Sequence, residues 1–418
     1  MMQPYARGKQ HVVILADLHR DTSGGKPRGW FYIPWSATML KRGVAEIIAH
    51  GAWPDIYTEP YPDTRNNPYT VQGIREAFTM AKAVEPYLVG SETVKSVALH
   101  YSRPSLDFFG CGDMASYMHS LDGAYKALME NHFPFDIVMD EQVLDGSVKQ
   151  YDLLVLSNSA CTSETFNAAV RGYVQGGGAV LATYKTSLYD EVGRLRRDFG
   201  LADLFAAHYR RESNHAYLEV SGALSAGLTT SPVIAQRLAE VEPDGGEAIG
   251  HIIAPSPTDL SPFTYVSAPT VPTGWPAFLR RGSVVYCAAD LGLAFMRAGC
   301  PDHLQLFANC VEVLVGEKLP LRVKAPGPVD VALRRQGERL LVHLVNLVTN
   351  QVVEEHECEI DAYEAIPVHD IELRLKAGQS ISKAYLATSG KELPLHRHDG
   401  WVVAVVPKLE LYEIVVFE

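Results

Sequence analysis

The chain has 418 residues, 47% hydrophobic and 21% charged, with 33 Gly and 25 Pro, a globular profile long enough for two to three domains at about 150 residues each. Its 37 Lys and Arg against 49 Asp and Glu leave a net charge of −12 with no separate basic block, which argues against a phosphate-tracking nucleic-acid surface. No stretch approaches the roughly 18 apolar residues that span a bilayer, and Val12 to Ala16 is too short for a secretory h-region. With six scattered cysteines and no C-x-x-C pair, the expectation is a cytoplasmic chain with reduced thiols, no membrane contact and no zinc or redox motif.

From His11 the pattern predicts a strand to Ala16 and a Gly/Pro/aromatic loop over Asp21 to Ser36. A helix follows, whose apolar Met39, Leu40, Val44, Ile47 and Ile48 recur at helical spacing until Gly51. A short strand near Trp53 to Thr58, a loop from Glu59 to Asn67 and a helix from Pro68 toward Leu88 repeat the β-loop-α order. Next come strands Val94 to Tyr101, Phe135 to Met139, Leu153 to Ser157 and Ala179 to Tyr184, with helices Ala115 to Asn131 and Ser163 to Gln175 between them. Short, almost wholly apolar strands alternating with amphipathic helices indicate a doubly wound parallel sheet. After further short strands such as Ser283 to Ala289 and a helix Pro301 to Val315, the pattern changes. Six strands between Val329 and Phe417, separated by Gly-bearing turns, indicate an antiparallel β-sandwich.

Several motifs invite chemistry. Gly110-Cys111-Gly112-Asp113-Met114-Ala115 fits G-x-G-x-x-A, but Ser102 to Phe109 separate it from its strand, whereas a dinucleotide site needs the first glycine at the strand tip. Cys161 follows an apolar strand, yet the nucleophile position of the glutamine amidotransferases, which share this general topology, holds Thr183-Tyr184-Lys185 with no cysteine. His396-x-His398 with Asp399 precedes Gly400 in a turn and fits a solvated loop better than a metal site. Asp17 and His19 stand where the first strand passes into its loop, and Glu59 stands just beyond the second. Carboxylates at the carboxyl ends of barrel-type strands face a catalytic mouth. Trp30, Tyr32 and Trp35 belong to the same mouth, where aromatic faces beside carboxylates make a sugar subsite. Local capping by Asp17, and core packing by the aromatics, remain open alternatives.

Val97-Ala98-Leu99-His100-Tyr101-Ser102, Leu153-Leu154-Val155-Leu156-Ser157-Asn158 and the long run from Gly176-Gly177-Gly178 through Lys185-Thr186-Ser187-Leu188-Tyr189-Asp190-Glu191 resemble the β-galactosidase trimerisation domain of family 42 glycoside hydrolases. Arg28-Gly29-Trp30, Ile47-Ile48-Ala49-His50-Gly51-Ala52, Asp198-Phe199-Gly200 to Phe205 and Leu341-Val342-His343-Leu344-Val345-Asn346-Leu347 look like the hypothetical glycosyl hydrolase 6 proteins. The resemblance implies residues 1-92 as the last two βα units of a TIM barrel, 93-317 as a flavodoxin-like trimerisation-type domain and 318-418 as a β-sandwich.

A complete barrel needs about 200 to 250 residues, and the related barrels carry their acid/base on the fourth strand, as the resemblance implies. Glycoside hydrolysis uses two carboxylates, about 5 Å apart for retention and about 6.5 to 9.5 Å for inversion. The expectation is therefore a β-galactosidase-like glycoside hydrolase relative without a complete barrel in this chain. Asp17 and Glu59 are its candidate acids, and His19, Trp30 and Trp35 its sugar contacts. The expected partners are an oligosaccharide or glycoside, two further copies in a homotrimer, and a second chain supplying the rest of the barrel; no cofactor or metal is implied. The alternative is a non-catalytic assembly or carbohydrate-contacting module, or half of a split enzyme.

Overall fold

A computed structural model describes residues 12–16, 18–21, 31–58, 65–254, 271–325, 328–348, 364–376 and 381–418. The chain divides into two compact units. One comprises Met1–Val94, His132–Pro134 and Pro320–Glu418, the other Lys95–Asn131 and Phe135–Leu319.

In the first unit, strands Val12–Ala16 and Trp53–Tyr57 pair in parallel with Ala16 opposite Tyr57. Parallel neighbours require a crossover, supplied by the helix Ala37–Ala49, whose first turn is capped by Ser36 accepting from the Met39 N–H at 3.2 Å. The second helix, Pro68–Leu88, starts with Asn67 accepting from the Tyr69 N–H and with Pro68 where no intrahelical donor is needed. Leu40, Val44, Ile48 and Val84 of these helices pack in one cluster with Leu341, Val345, Ile414 and Val416.

Those partners lie on an antiparallel six-stranded sheet, in the order Glu392–Leu393, Ala384–Leu386, Tyr412–Phe417, Arg339–Asn346, Val329–Gln336 and Glu92–Thr93. Its other face, through Val331, Leu333, Val342, Leu344 and Val415, packs with a four-stranded sheet of Leu321–Lys324, Val368–Lys376, Trp401–Leu409 and His396–His398. The central sheet is covered on both faces. Arg339–Asn346 is therefore buried at every position but Arg339, where a sheet with one wet face would alternate.

The second unit is built on one nine-stranded sheet. Five parallel strands, Val97–Tyr101, Phe135–Met139, Leu153–Leu156, Ala179–Thr183 and Val284–Cys287, lie in the order 2-1-3-4-5 by their sequence. Antiparallel strands continue it through Pro272–Arg281, Glu247–Ile253, Ala207–Glu219 and Val233–Pro243. The expected parallel sheet is thus mixed. Its antiparallel half carries polar residues between apolar ones, as in Val233–Pro243, which suits strands with one face at least partly in water. On the parallel half, the helices Met114–Glu130 and Leu291–Ala298 cross where a Cβ on Gly123 would stand 2.2 Å from the Gly292 carbonyl oxygen. Among the described residues no helix is long and apolar enough to cross a membrane.

Candidate functional site

Because Val12–Ala16 and Trp53–Tyr57 are parallel and in register, their carboxyl ends, Ala16 and Tyr57, lie at the same end of the pair, and Asp17 and Glu59 follow them in the sequence. Asp17, Glu59 and Trp30 themselves lie outside the described residues. His19 belongs to the short strand Leu18–Asp21, paired with Phe31–Pro34 and opposite Ile33, and its side chain is likewise outside the description. Trp35 is half-buried, packed against the cluster that holds Leu40 and Val44. This is the packing role that the aromatic pattern left open, and it leaves part of the residue accessible.

A second concentration of polar chemistry, which the sequence did not show, lies at the carboxyl ends of the five parallel strands, where doubly wound sheets place their ligands. Fully buried His100 holds Ser159 Oγ at 2.9 Å from Nδ1, has Asp140 Oδ1 3.6 Å from Nε2, and packs its ring on Phe166 with centroids 4.9 Å apart. Next to it, Asp290 accepts from Ser120 Oγ at 2.6 Å and Asn158 Nδ2 at 3.3 Å, and caps the Leu291–Ala298 helix through the Leu293 N–H at 3.1 Å. Burial pushes the Asp290 carboxyl up to about 6, against the opposing hydrogen bond from Ser120.

Two residues just beyond these strands adopt positive φ, Asn158 at 48° and Tyr184 at 53°. Such left-handed non-glycine positions persist only where surrounding bonds hold them. Asn158 is held by its N–H donating to Thr183 Oγ1, while Tyr184 donates its hydroxyl to Glu212 Oε1 at 2.5 Å and Lys185 donates to Glu212 Oε2 at 2.7 Å. The Glu212 carboxyl is penalised by burial, but the Lys185 and Tyr184 hydrogen bonds outweigh that and lower it.

Ser159, His100 and Asp140 have the residue types of an acyl-transfer triad, but Ser159 and His100 are shut off from solvent, so no substrate carbonyl reaches the hydroxyl. Cys161 is equally buried, and desolvation pushes its thiol up to about 11, where the nucleophilic thiolate is scarce. The cluster locks the strand ends. At the glycine-rich turn, Asp113 caps the Met114–Glu130 helix through the Ser116 N–H at 3.1 Å, so a carboxylate already occupies the anion position at that helix start. His396 and His398 lie on a short exposed edge strand, where the turn reading had placed a loop, and among the described residues no His, Cys, Asp or Glu group is arranged to hold a metal. Polar Ser157-Asn158-Ser159 directly after an apolar strand was the one available signal for the cluster.

No family model matches the sequence, and no curated protein does. Solved structures do. An α-L-fucosidase, isoenzyme 2, from Paenibacillus thiaminolyticus aligns with a TM-score of 0.79 at 20% identity over 98% of this chain and 60% of its own. A GH42 β-galactosidase from G. stearothermophilus aligns at 0.66, 16% identical, over 97% and 53%. The β-galactosidase from Bacillus circulans sp. alkalophilus aligns at 0.65, 13% identical, over 98% and 55%. The chain has a glycoside-hydrolase-like fold and spans less than two thirds of the length of these structures.

Proposed function

We propose that this protein is a β-galactosidase-like glycoside hydrolase relative of carbohydrate metabolism, whose sugar site lies at the carboxyl end of the strands Val12–Ala16 and Trp53–Tyr57. The observation that carries the proposal is their parallel register, Ala16 opposite Tyr57, which puts at one end the two strand termini that Asp17 and Glu59 follow in the sequence. In this reading Asp17 or Glu59 supplies acid catalysis, His19 orients it, and Trp30 with the accessible part of Trp35 stacks on the sugar ring. The solved glycosidases with the same fold support the substrate class. The strand order 2-1-3-4-5 supports a flavodoxin-like, trimerisation-type domain in the second unit, and hence a homotrimer.

The test is hydrolysis of aryl β-galactosides and aryl α-L-fucosides across pH by the protein and by Asp17→Asn and Glu59→Gln. Loss of general-acid catalysis lowers turnover by about 10²- to 10⁴-fold. Turnover unchanged in both variants removes the residue assignment, and none at any pH removes hydrolysis by this chain alone. Light scattering that returns a monomer at micromolar concentration removes the trimer.

A further inference from the structure

The sheet of Leu321–Lys324, Val368–Lys376, Trp401–Leu409 and His396–His398 turns one face to the sandwich core, where Leu321, Leu373, Leu375, Val402 and Ala404 are buried. Side chains alternate along its strands, so the register fixes what stands on the other face. One cross-strand row runs Arg322, Arg374, Val403, His396, and its neighbour Lys376, Trp401, His398. On the far side of the first row, Lys324 stands opposite Glu372, which stands opposite Val405. Among the described residues, these three rows carry four Lys or Arg against one Glu, in a chain whose net charge is −12. Past the left-handed Asp370, Lys408 pairs with Glu410, and the basic excess stops there.

Two features set this face apart from an ordinary solvated one. The first is that Arg322 stands directly opposite Arg374, a like-charge pair that costs stability in an antiparallel sheet. Cations do protect edge strands, which accounts for Arg322 and Lys324, but Arg374 and Lys376 lie on an interior strand with no edge to protect. The second is an apolar strip between the cations. Half-buried Trp401 and Val403 and exposed Val405 follow one another along the middle of the face, with the Arg322 guanidinium carbon 5.8 Å from the Trp401 ring centroid. Arg374 pairs with Glu372 at 2.6 Å, one carboxylate among four cations.

We propose that this face binds a polyuronate, an acidic polysaccharide with one carboxylate on each sugar ring. The proposal rests on the carbohydrate reading above and adds a second surface, separate from the strand ends that Asp17 and Glu59 follow. Trp401 and Val403 offer flat apolar ground on which the C–H face of a pyranose ring stacks, and Arg374 and Lys376 stand beside them to take the carboxylates. A guanidinium fork meets a planar carboxylate in two parallel hydrogen bonds. A carboxylate seated between Arg322 and Arg374 also removes their repulsion, so a cost in the free protein turns into affinity in the complex. Nucleic acid fits less well, because phosphate tracking draws on a broadly basic surface and the chain as a whole is acidic.

The test is calorimetric titration of the full chain with de-esterified polygalacturonate at about 50 mM salt and again at about 500 mM, where charge attraction is screened. Fully methyl-esterified polygalacturonate supplies the same polymer without its charge. The expected result is binding of the charged polymer alone, weakened at high salt. Arg374→Gln combined with Lys376→Gln, both at exposed positions, is expected to weaken binding about tenfold or more with an unchanged melting temperature, and Trp401→Ala to weaken it to a similar degree. Arg210→Gln, in the other unit, leaves it unchanged. The proposal is overturned by no binding at low salt, by equal binding of the esterified polymer, by binding that survives the double variant, or by single-stranded DNA that binds as tightly. It is equally overturned by a homo-oligomer that the double variant dissociates, since the face then meets a second copy. No glycosidic bond is broken in this measurement. A chain that hydrolyses aryl glycosides but ignores polygalacturonate loses only this proposal, and one that binds it but hydrolyses nothing loses only the hydrolytic reading.

Discussion

Asp290 shows how much one side chain can hold in place. It joins Ser120 on one helix, Asn158 at a strand end and the N–H of Leu293 in the helix it caps, all without solvent contact. With the carboxyl pushed up to about 6 by burial, against about 3.9 in an unfolded chain, the folded state binds the proton more tightly. The consequence has a definite sign: between about pH 4 and 6 the folded protein holds a proton that the unfolded chain has released, so stability falls as pH rises through that window. A shift of this size is worth on the order of 2–3 kcal/mol. Asp290→Asn removes the titration, and urea unfolding at pH 4.5 and 6.5 is expected to show the second unit losing that slope. An unchanged slope would mean that Asp290 titrates at an ordinary value in the fold. None of this was legible in the sequence, because the partners stand 132 and 170 residues away and each is an ordinary Asn or Ser by itself.

At the scale of elements, the clearest case is the crossing of the Met114–Glu130 and Leu291–Ala298 helices. A Cβ on Gly123 would stand 2.2 Å from the Gly292 carbonyl oxygen, and one on Gly292 2.1 Å from the Ser120 carbonyl oxygen. Both obstacles are backbone, which cannot swing aside. Gly123→Ala and Gly292→Ala are each expected to destabilise the second unit by about 1–3 kcal/mol or more, although alanine is the better helix former. Thermal melts of the two variants check this, and a melting temperature at or above that of the parent would show that the helices can separate cheaply. Glycine inside a helical pattern looks from sequence like a weak point, and only the packed partner reveals it as a contact.

Elements whose apolar rhythm and punctuation agreed were legible: Phe135–Met139, Pro301–Val315 and Tyr412–Phe417 begin and end where the pattern puts them. The antiparallel extension was not. Val233–Pro243 carries Arg237, Glu240 and Glu242 among its apolar residues. Arg237 reaches Ser116 of a distant helix, and Glu240 and Glu242 pair with Arg211 and Arg210 across the strand, so the polar positions serve partners that no local period announces. The candidate mouth was read from residue types next to strand ends, and Asp17, Glu59 and Trp30 lie outside the described residues. The buried cluster on the other sheet was not legible, since its polar residues satisfy one another across long sequence separations.

Taken as a whole, the molecule has a charge problem in acid that its net charge of −12 does not reveal. His132, His303 and His343 are each almost wholly buried, and desolvation lowers all three, His132 to about 4 and His343 well below the ordinary histidine value. Nearby Asp330 pulls His132 the other way without prevailing. Unfolded histidines titrate near 6.5. As pH falls below that, the unfolded chain takes up protons that the folded one refuses, so stability is complete above about 6.5 and drains away as pH drops toward 4. For His132 alone the difference is about 3 kcal/mol. Asp290 works in the opposite sense over an overlapping window, and so do Asp122, Glu130 and Glu413, whose carboxyls burial also raises, so the histidine contribution is read as a difference between parent and variant. Burial raises the Asp330 carboxyl, yet its 2.7 Å contact with His50 more than offsets this and lowers it, so that its contribution disappears only in stronger acid, below about pH 4. The decisive variant is His132→Asn. At φ 62° asparagine tolerates the left-handed backbone, and the amide carries no titrating proton. Unfolding by urea at pH 4.5, 5.5 and 6.5 is expected to show the variant losing less stability in acid than the parent, by up to about 3 kcal/mol across the range. A variant that loses as much stability in acid as the parent would show that the His132 imidazole accepts its proton in place, and would remove its burial as a source of the molecule's acid limit.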